Sequence, residues 1–192
     1  VIFLMSINKF KKKYTLRSEK IFLRPVMRKD VYGDWWKWLN NGKITELMDK
    51  GYEKNTISRQ LRYYQKIQRS KKDLLFAICL VNQKHIGCVG LHQINYKKKQ
   101  AQFGIIIGNI RYHGKGIGKK VWSMIVKFGF EKLHLRTINT MIVKENKASL
   151  KIAKSLGFKT QKIFKNFIIK KEKRYDYISL FLKKNNWKNK YT

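Results

Sequence analysis

Acidic residues are scarce in this chain of 192 residues: 11 Asp and Glu stand against 45 Lys and Arg, a formal net charge of +34. Such an imbalance attracts polyanions, whether nucleic acid, anionic membrane or phosphorylated small molecules. Lys far outnumbers Arg, and Ile and Asn are abundant too. An AT-rich genome leaves the same signature at neutral surface positions, so the charge speaks to solubility and partners rather than to fold. Proline is nearly absent, with Pro25 alone, and there is no Pro/Gly/Ser linker and no internal repeat. That argues for one domain. Two cysteines, Cys79 and Cys88, make neither a disulfide framework nor a metal site; they read as buried thiols on neighbouring strands. No apolar run approaches the ~20 residues of a membrane-spanning helix. The apolar Val1–Leu4 is too short for a signal-peptide core, and Met5 is a candidate start of translation. The chain is expected to be soluble and cytoplasmic, with a short extension over residues 1–13, one domain over 14–183 and a polar, frayed tail over 184–192.

What is present is a core. Apolar residues make up 43% of the chain and aromatics 14%, which excludes disorder. Ile21 to Arg24 reads as a short strand. Asp30 caps a helix carrying Val31, Trp35, Trp38 and Leu39 on one face, and Thr56 caps a second with Ile57, Leu61 and Tyr64 on its buried stripe. The loop between them, Asn40 to Asn55, holds Glu46, Asp49 and Glu53. Three strands then follow in close succession, Leu74 to Val81, His85 to Ile94 and Ala101 to Gly108, which predicts an antiparallel meander. A Gly-rich loop leads into a helix over Ile117 to Leu133, with Val121, Ile125 and Phe128 facing inward. Thr137 to Val143 is a strand parallel to the one before that helix, as a crossover requires. Asn146 starts a further helix that Gly157 ends as a left-handed cap. Thr160 to Ile169 and Tyr175 to Leu182 close the sheet as a hairpin.

The Gly-rich loop is the most informative segment: Arg111-Tyr112-His113-Gly114-Lys115-Gly116-Ile117-Gly118-Lys119-Lys120. Alternate glycines directly before a helix let the backbone turn sharply and approach a ligand. The first-turn amides and the helix dipole then suit a pyrophosphate, with lysines beside it. The spacing fits neither a Walker loop nor a dinucleotide fingerprint, which also needs a βαβ unit and an acid ~20 residues on. A tight strand–helix turn with no ligand is the bland alternative.

The loop resembles the coenzyme A motif of GNAT acetyltransferases, Arg/Gln-x-x-Gly-x-Gly/Ala, with His113 in the Arg/Gln slot and Gly116 and Gly118 in the glycine slots. The likeness covers roughly residues 23–182. Leu23-Arg24-Pro25 and Trp38-Leu39-Asn40 look like the start of the branch holding ribosomal-protein alanine and amino-sugar N-acetyltransferases. Ile86-Gly87-x-x-Gly90-Leu91, Phe128-Gly129-Phe130 with Leu133, Leu135 and Ile138, and Asn146-x-x-Ser149 with Leu156-Gly157-Phe158 match its later motifs. The resemblance implies an α/β fold: one mixed, mostly antiparallel sheet of six to seven strands with a central splay and about four flanking helices.

It also implies acetyl-CoA as cosubstrate and no metal. The pantetheine arm would enter the splay beside Ile106, Ile107 and Gly108. The loop His113, Gly114, Lys115, Gly116, Ile117, Gly118 and Lys119 would hold the pyrophosphate, with Asn146 as helix cap or coenzyme contact. The amine would attack the thioester directly, a backbone amide near Ile107 stabilising the oxyanion and Ser149 protonating the thiolate. An acyl-enzyme on either cysteine is disfavoured, since neither has an activating neighbour in sequence. The general base is harder to place. The fourth strand offers only Gln100 and Gln102 where some family members carry a glutamate, leaving His92, Glu53 and Asp49 as candidates. His113 is assigned to the phosphate loop, and His85 and His134 read as surface turn residues. Trp35 or Trp36 could line an acceptor pocket. The acceptor is a nucleotide-linked amino sugar or a protein N-terminus, ribosomal among the options. A basic nucleic-acid-binding module on a degenerate fold is the competing reading, nucleic-acid contact being otherwise non-specific. Homodimerisation is left open.

Overall fold

The computed structural model describes residues 2–48, 53–170 and 173–187. One eight-stranded sheet runs through it in the order β1-β2-β3-β4-β5-β6-β8-β7. Its strands are β1 (Leu16–Arg17), β2 (Ile21–Pro25), β3 (Leu74–Leu80), β4 (His85–Asn95), β5 (Gln100–Ile107), β6 (Thr137–Val143), β7 (Lys159–Lys170) and β8 (Lys173–Lys183). The helices are α1 (Ile2–Lys13), α2 (Arg28–Tyr32), α3 (Trp35–Trp38), α4 (Gly42–Thr45), α5 (Ile57–Arg69), α6 (Ile117–Glu131) and α7 (Lys147–Ser155). The meander of β3, β4 and β5 is antiparallel and the β5–β6 crossover is parallel, as expected. Eight strands replace the expected six to seven, because the two-residue β1 pairs with β2 at the edge.

The continuous apolar run of β3 is explained by burial on both faces. Leu74, Phe76 and Ile78 join Val89, Leu91 and Phe103 in the larger core beneath α6. The alternate residues Leu75, Ala77 and Cys79 face the other way, into a smaller core with Val31, Trp35, Trp38 and Ile67. The extension over residues 1–13 is α1, whose Ile7 and Phe10 belong to the larger core. The Lys11 ammonium donates to the carbonyls of Ile67, Gln68 and Ser70, closing the C-terminus of α5 where carbonyls lack partners.

Several local readings change. Asp30 caps the helix from inside it rather than as its N-cap residue: it stands at the third position of α2, where its carboxylate accepts from the N-cap Met27 amide at 2.7 Å and from the Arg24 guanidinium at 2.7 Å through both oxygens. The single helix expected from Asp30 breaks at Gly33-Asp34 into α2 and α3, yet Val31, Trp35 and Trp38 remain buried. Ile57 is exposed, and Gln60 and Ile67 carry the buried side of α5. Thr56 does cap α5, accepting from the Arg59 amide at 3.2 Å. The loop between α3 and α5 is clamped at its ends: the Asn40 amide donates to the Asn55 carbonyl at 2.9 Å, and the Asn55 N–H donates to Asn40 Oδ1 at 2.7 Å. Asp49 lies outside the described residues. In the tail, Lys184–Asn186 form a 3-10 turn and Trp187 stacks on Phe130 with centroids 5.5 Å apart.

Candidate active site

Only three residue pairs join β5 to β6: Gln100 with Thr137, Ala101 with Ile138 and Gln102 with Asn139. Beyond Gln102 the strands part, while β5 continues to Ile107 and β6 to Val143. The opening forms part of a cleft of about 1070 Å³ whose walls include His92, Gly104, Ile106, Thr140, Asn146 and Ser149. Trp35 and Tyr63 line it on the side of the smaller core, and Glu53 and Arg59 stand there too.

The parting leaves backbone groups of β5 facing the gap. The Gly108 amide donates to the Ile86 carbonyl at 2.8 Å, which fixes the antiparallel alternation with β4. Ile106 therefore turns its polar groups toward β4, and those of Ile107 and Ile105 point into the opening. The Phe103 carbonyl, on the same phase, accepts from the Thr140 hydroxyl at 3.3 Å. The Ile107 carbonyl accepts from the His113 ring at 2.8 Å. Of the expected trio, Ile107 alone offers its N–H to the gap, and Ile105 joins it. Ile106 contributes its side chain to the cleft wall, and Gly108 packs so tightly on Trp38 that a Cβ there would lie 1.8 Å from the indole.

At the end of β5 the chain makes a 3-10 turn, Ile110–Tyr112, and enters α6 through Gly114 and Gly116 at φ 72° and 76°. Left-handed backbone at two alternate positions is the physical reason for these glycines. Gly116 is the N-cap of α6 and carries no side-chain cap, so the first-turn amides of Ile117 and Gly118 have no acceptor within the helix. The His113 amide, by contrast, already donates to Ile110 at 3.0 Å, and its ring ties the loop to the end of β5. The His113 amide is thus already used within the loop. These amides, the dipole of α6 and Lys115 and Lys119 fit a pyrophosphate, and the parted edge of β5 fits an extended amide-bearing arm.

The three catalytic candidates reach the same cleft in different states. Ser149 sits half-buried in the first turn of α7, its amide held by Asn146 Oδ1 at 3.1 Å. Asn146 is therefore a cap whose side chain also lines the cleft. Glu53 is paired with Arg59 and 78% exposed at its side chain, which makes it part of the rim. The His92 Nδ1 lies 3.2 Å from Asp73 Oδ1, and its side chain is 24% exposed. Asp73 had no signal of its own in the sequence, because its role depends on a partner 19 residues away. The His92 hydrogen bond, with further bonds from the Ser70 hydroxyl and Gln93 amide, holds the Asp73 carboxyl well below the usual carboxylate range despite burial.

His85 is a correction: its side chain is 13% exposed, meets Trp38 edge-on with centroids 4.9 Å apart and lies 3.7 Å from Asp30. Burial pushes its imidazole down, against the pull of Asp30. His134 is exposed in a turn at φ 52°, as read. Cys79 and Cys88 are buried free thiols, both pushed up by burial, which keeps them protonated and poor nucleophiles.

Comparison with known proteins agrees with this geometry. An acetyltransferase (GNAT) domain model matches residues 20–159. Spermidine N(1)-acetyltransferase of Escherichia coli is 32% identical over 144 residues, 75% of each chain. Acetyltransferase PseH of Campylobacter jejuni is 25% identical over 117 residues, 61% of this chain and 69% of that one. Among solved structures, spermidine N-acetyltransferase from Vibrio cholerae, in complex with CoA and spermine, superposes with a TM-score of 0.80 at 20% identity, covering 86% of this chain and 96% of that one. A GNAT-family acetyltransferase from Bacillus anthracis gives 0.75 at 17% identity, covering 90% and 99%. A family model spanning most of the chain, a relative of this identity and the parted sheet place the protein in one enzyme class: it belongs to the GNAT family of N-acetyltransferases.

Proposed function

We propose that the protein transfers an acetyl group from acetyl-CoA to the primary amine of an anion-bearing acceptor, a nucleotide-linked amino sugar, in the cytoplasm. The observation that carries the cosubstrate is the parted β5 edge running into the uncapped N-terminus of α6 at Gly116. Acetyl-CoA supplies the activated acetyl thioester. The first-turn amides and Lys115 receive its phosphates, and Ile105 and Ile107 face the arm. The Ile107 N–H is placed to stabilise negative charge on the reacting carbonyl oxygen, and Ser149 to give a proton to the departing sulfur.

The acceptor follows from charge. The one carboxylate among the described residues lining the cleft is Glu53, and Arg59 occupies it. With a net +34 on the chain, a polycation gains nothing on approach, while a pyrophosphate-bearing amine is drawn in. Tyr63 offers an exposed ring to a sugar or base, with the buried Trp35 packed edge-on behind it. A protein N-terminus, arriving on an RNA-rich particle, is the second reading that the same charge favours.

Release of free CoA should be followed with acetyl-CoA and, separately, uridine diphosphate glucosamine, spermidine and an alanine-terminated peptide. The proposal expects kcat/KM for the nucleotide sugar to exceed that for spermidine at least tenfold at low salt. Preference for spermidine would overturn it.

A further inference from the structure

We infer that Asp73 and His92 work as a dyad, in which Asp73 fixes the imidazole so that Nε2 accepts the proton of the incoming amine. The role for His92 rests on the proposed acetyl transfer; the dyad itself rests on geometry. Asp73 precedes β3 and accepts three hydrogen bonds, from the His92 ring at 3.2 Å, the Gln93 amide at 3.1 Å and the Ser70 hydroxyl. A carboxylate can only accept, so Nδ1 of His92 carries a hydrogen, and in the neutral ring Nε2 is the nitrogen with the lone pair. Nε2 has no protein partner among the described residues.

Nε2 faces a floor without side chains. His92 lies opposite Gln102 in the β4–β5 register, and the next pair on that face is Gly90 opposite Gly104. A Cβ on Gly90 would lie 2.7 Å from Nε2, and one on Gly104 would lie 4.0 Å from it. The ring therefore rests over two glycines, with open cleft above them. Along β5, Gly104 and Ile107 are ~10 Å apart at ~3.3 Å per residue. Three contacts of ~3 Å span that distance: Nε2 to amine nitrogen, nitrogen to acetyl carbon, and carbonyl oxygen to the Ile107 amide.

The proton count closes. The acceptor enters as an ammonium and gives one proton to Nε2, which passes it to solvent. The C–N bond then forms as the C–S bond breaks; the sulfur, leaving with the bonding pair, takes the Ser149 hydroxyl proton, and the second N–H proton of the amine replaces it on Ser149. His92 is the catalytic residue and Asp73 a positioning residue. The charged and titratable groups around them are Lys11 from α1, Tyr63 from α5, Tyr96 beside the β4–β5 turn and the Glu53–Arg59 pair on the rim.

Two readouts on the full chain test this. Nitrogen chemical shifts should show His92 as the Nδ1–H tautomer in the wild type. In Asp73→Asn the fixed Nδ1–H tautomer should be lost, and Asp73→Glu should restore it. With uridine diphosphate glucosamine as the amine, His92→Ala should lower kcat by ~100-fold with unchanged acetyl-CoA affinity. Asp73→Asn should lower kcat with acetyl-CoA affinity unchanged, and Asp73→Glu should recover it. An Nε2–H tautomer in the wild type, or an unchanged tautomer in Asp73→Asn, overturns the dyad. A wild-type kcat in His92→Ala overturns the proton transfer. Failure of the wild type to use that amine counts against the proposed acceptor instead, and the tautomer still decides the dyad.

Discussion

Asp30 shows how far one residue's meaning depends on partners the sequence does not place beside it. Its type and position suit an N-cap residue, yet the carboxylate faces inward onto Arg24 with both side chains largely buried. Burial pushes the carboxyl up, but the Arg24 fork, the Met27 amide and nearby His85 outweigh it and hold it below its ordinary value. A lowered folded value stabilises the fold above the unfolded carboxyl's ~3.9, and that contribution is lost as pH falls through the folded value. Urea midpoints measured against pH should therefore fall more steeply below pH ~4 in the wild type than in Asp30→Asn. Asp30→Ala, leaving Arg24 buried and unpaired, should cost about 3–5 kcal/mol at neutral pH. His85 was misread for the same reason: the strand that carries it was legible, but the indole of Trp38 against its ring was not. Ser149 combines a helix-end position with a place on the cleft wall, where it is the proposed proton donor. Ser149→Ala should lower kcat while acetyl-CoA affinity stays within twofold, and an unchanged kcat would return Ser149 to a helix-end role.

Among the elements, those with strong periodicity were legible. The three-strand meander, the crossover helix and the β7–β8 hairpin follow from alternation, apolar runs and turn residues, and β3 betrayed its two-sided burial by lacking polar positions. Short or lysine-rich elements were not. α1 ends in a lysine-rich stretch, and its described apolar side chains, Ile7 and Phe10, both reach the core, where Phe10 meets Phe128 edge-on at 5.0 Å. Ile7→Ala should lower stability by about 2–5 kcal/mol in urea unfolding, as for a core position, whereas a loosely attached extension would show no change. The break between α2 and α3 is likewise tertiary: it lets Asp30 meet Arg24 while Trp38 packs on Gly108 at the end of β5. The parting of β5 from β6 was visible only through family resemblance, since nothing in either strand's composition says that pairing stops at Gln102.

At the scale of the whole molecule, a strongly positive chain carries the cleft and the glycine loop proposed to take acetyl-CoA. Diffuse charge and a built site predict different things. Diffuse charge draws every phosphate equally and fades with salt, while the amides at Gly116 and the edge of β5 distinguish one ligand by shape. Thermal unfolding at ~0.15 M salt with acetyl-CoA, ATP or NAD, for the wild type and for Gly116→Asp, separates the two most directly. Acetyl-CoA alone should raise the wild-type midpoint in a dose-dependent way. Gly116→Asp should unfold somewhat below the wild-type temperature, because φ 76° strains any side chain, and should show no rise with acetyl-CoA, because its carboxylate occupies the phosphate position. Equal shifts with all three ligands, or a full acetyl-CoA shift retained in Gly116→Asp, would contradict the assignment of the loop and with it the cosubstrate.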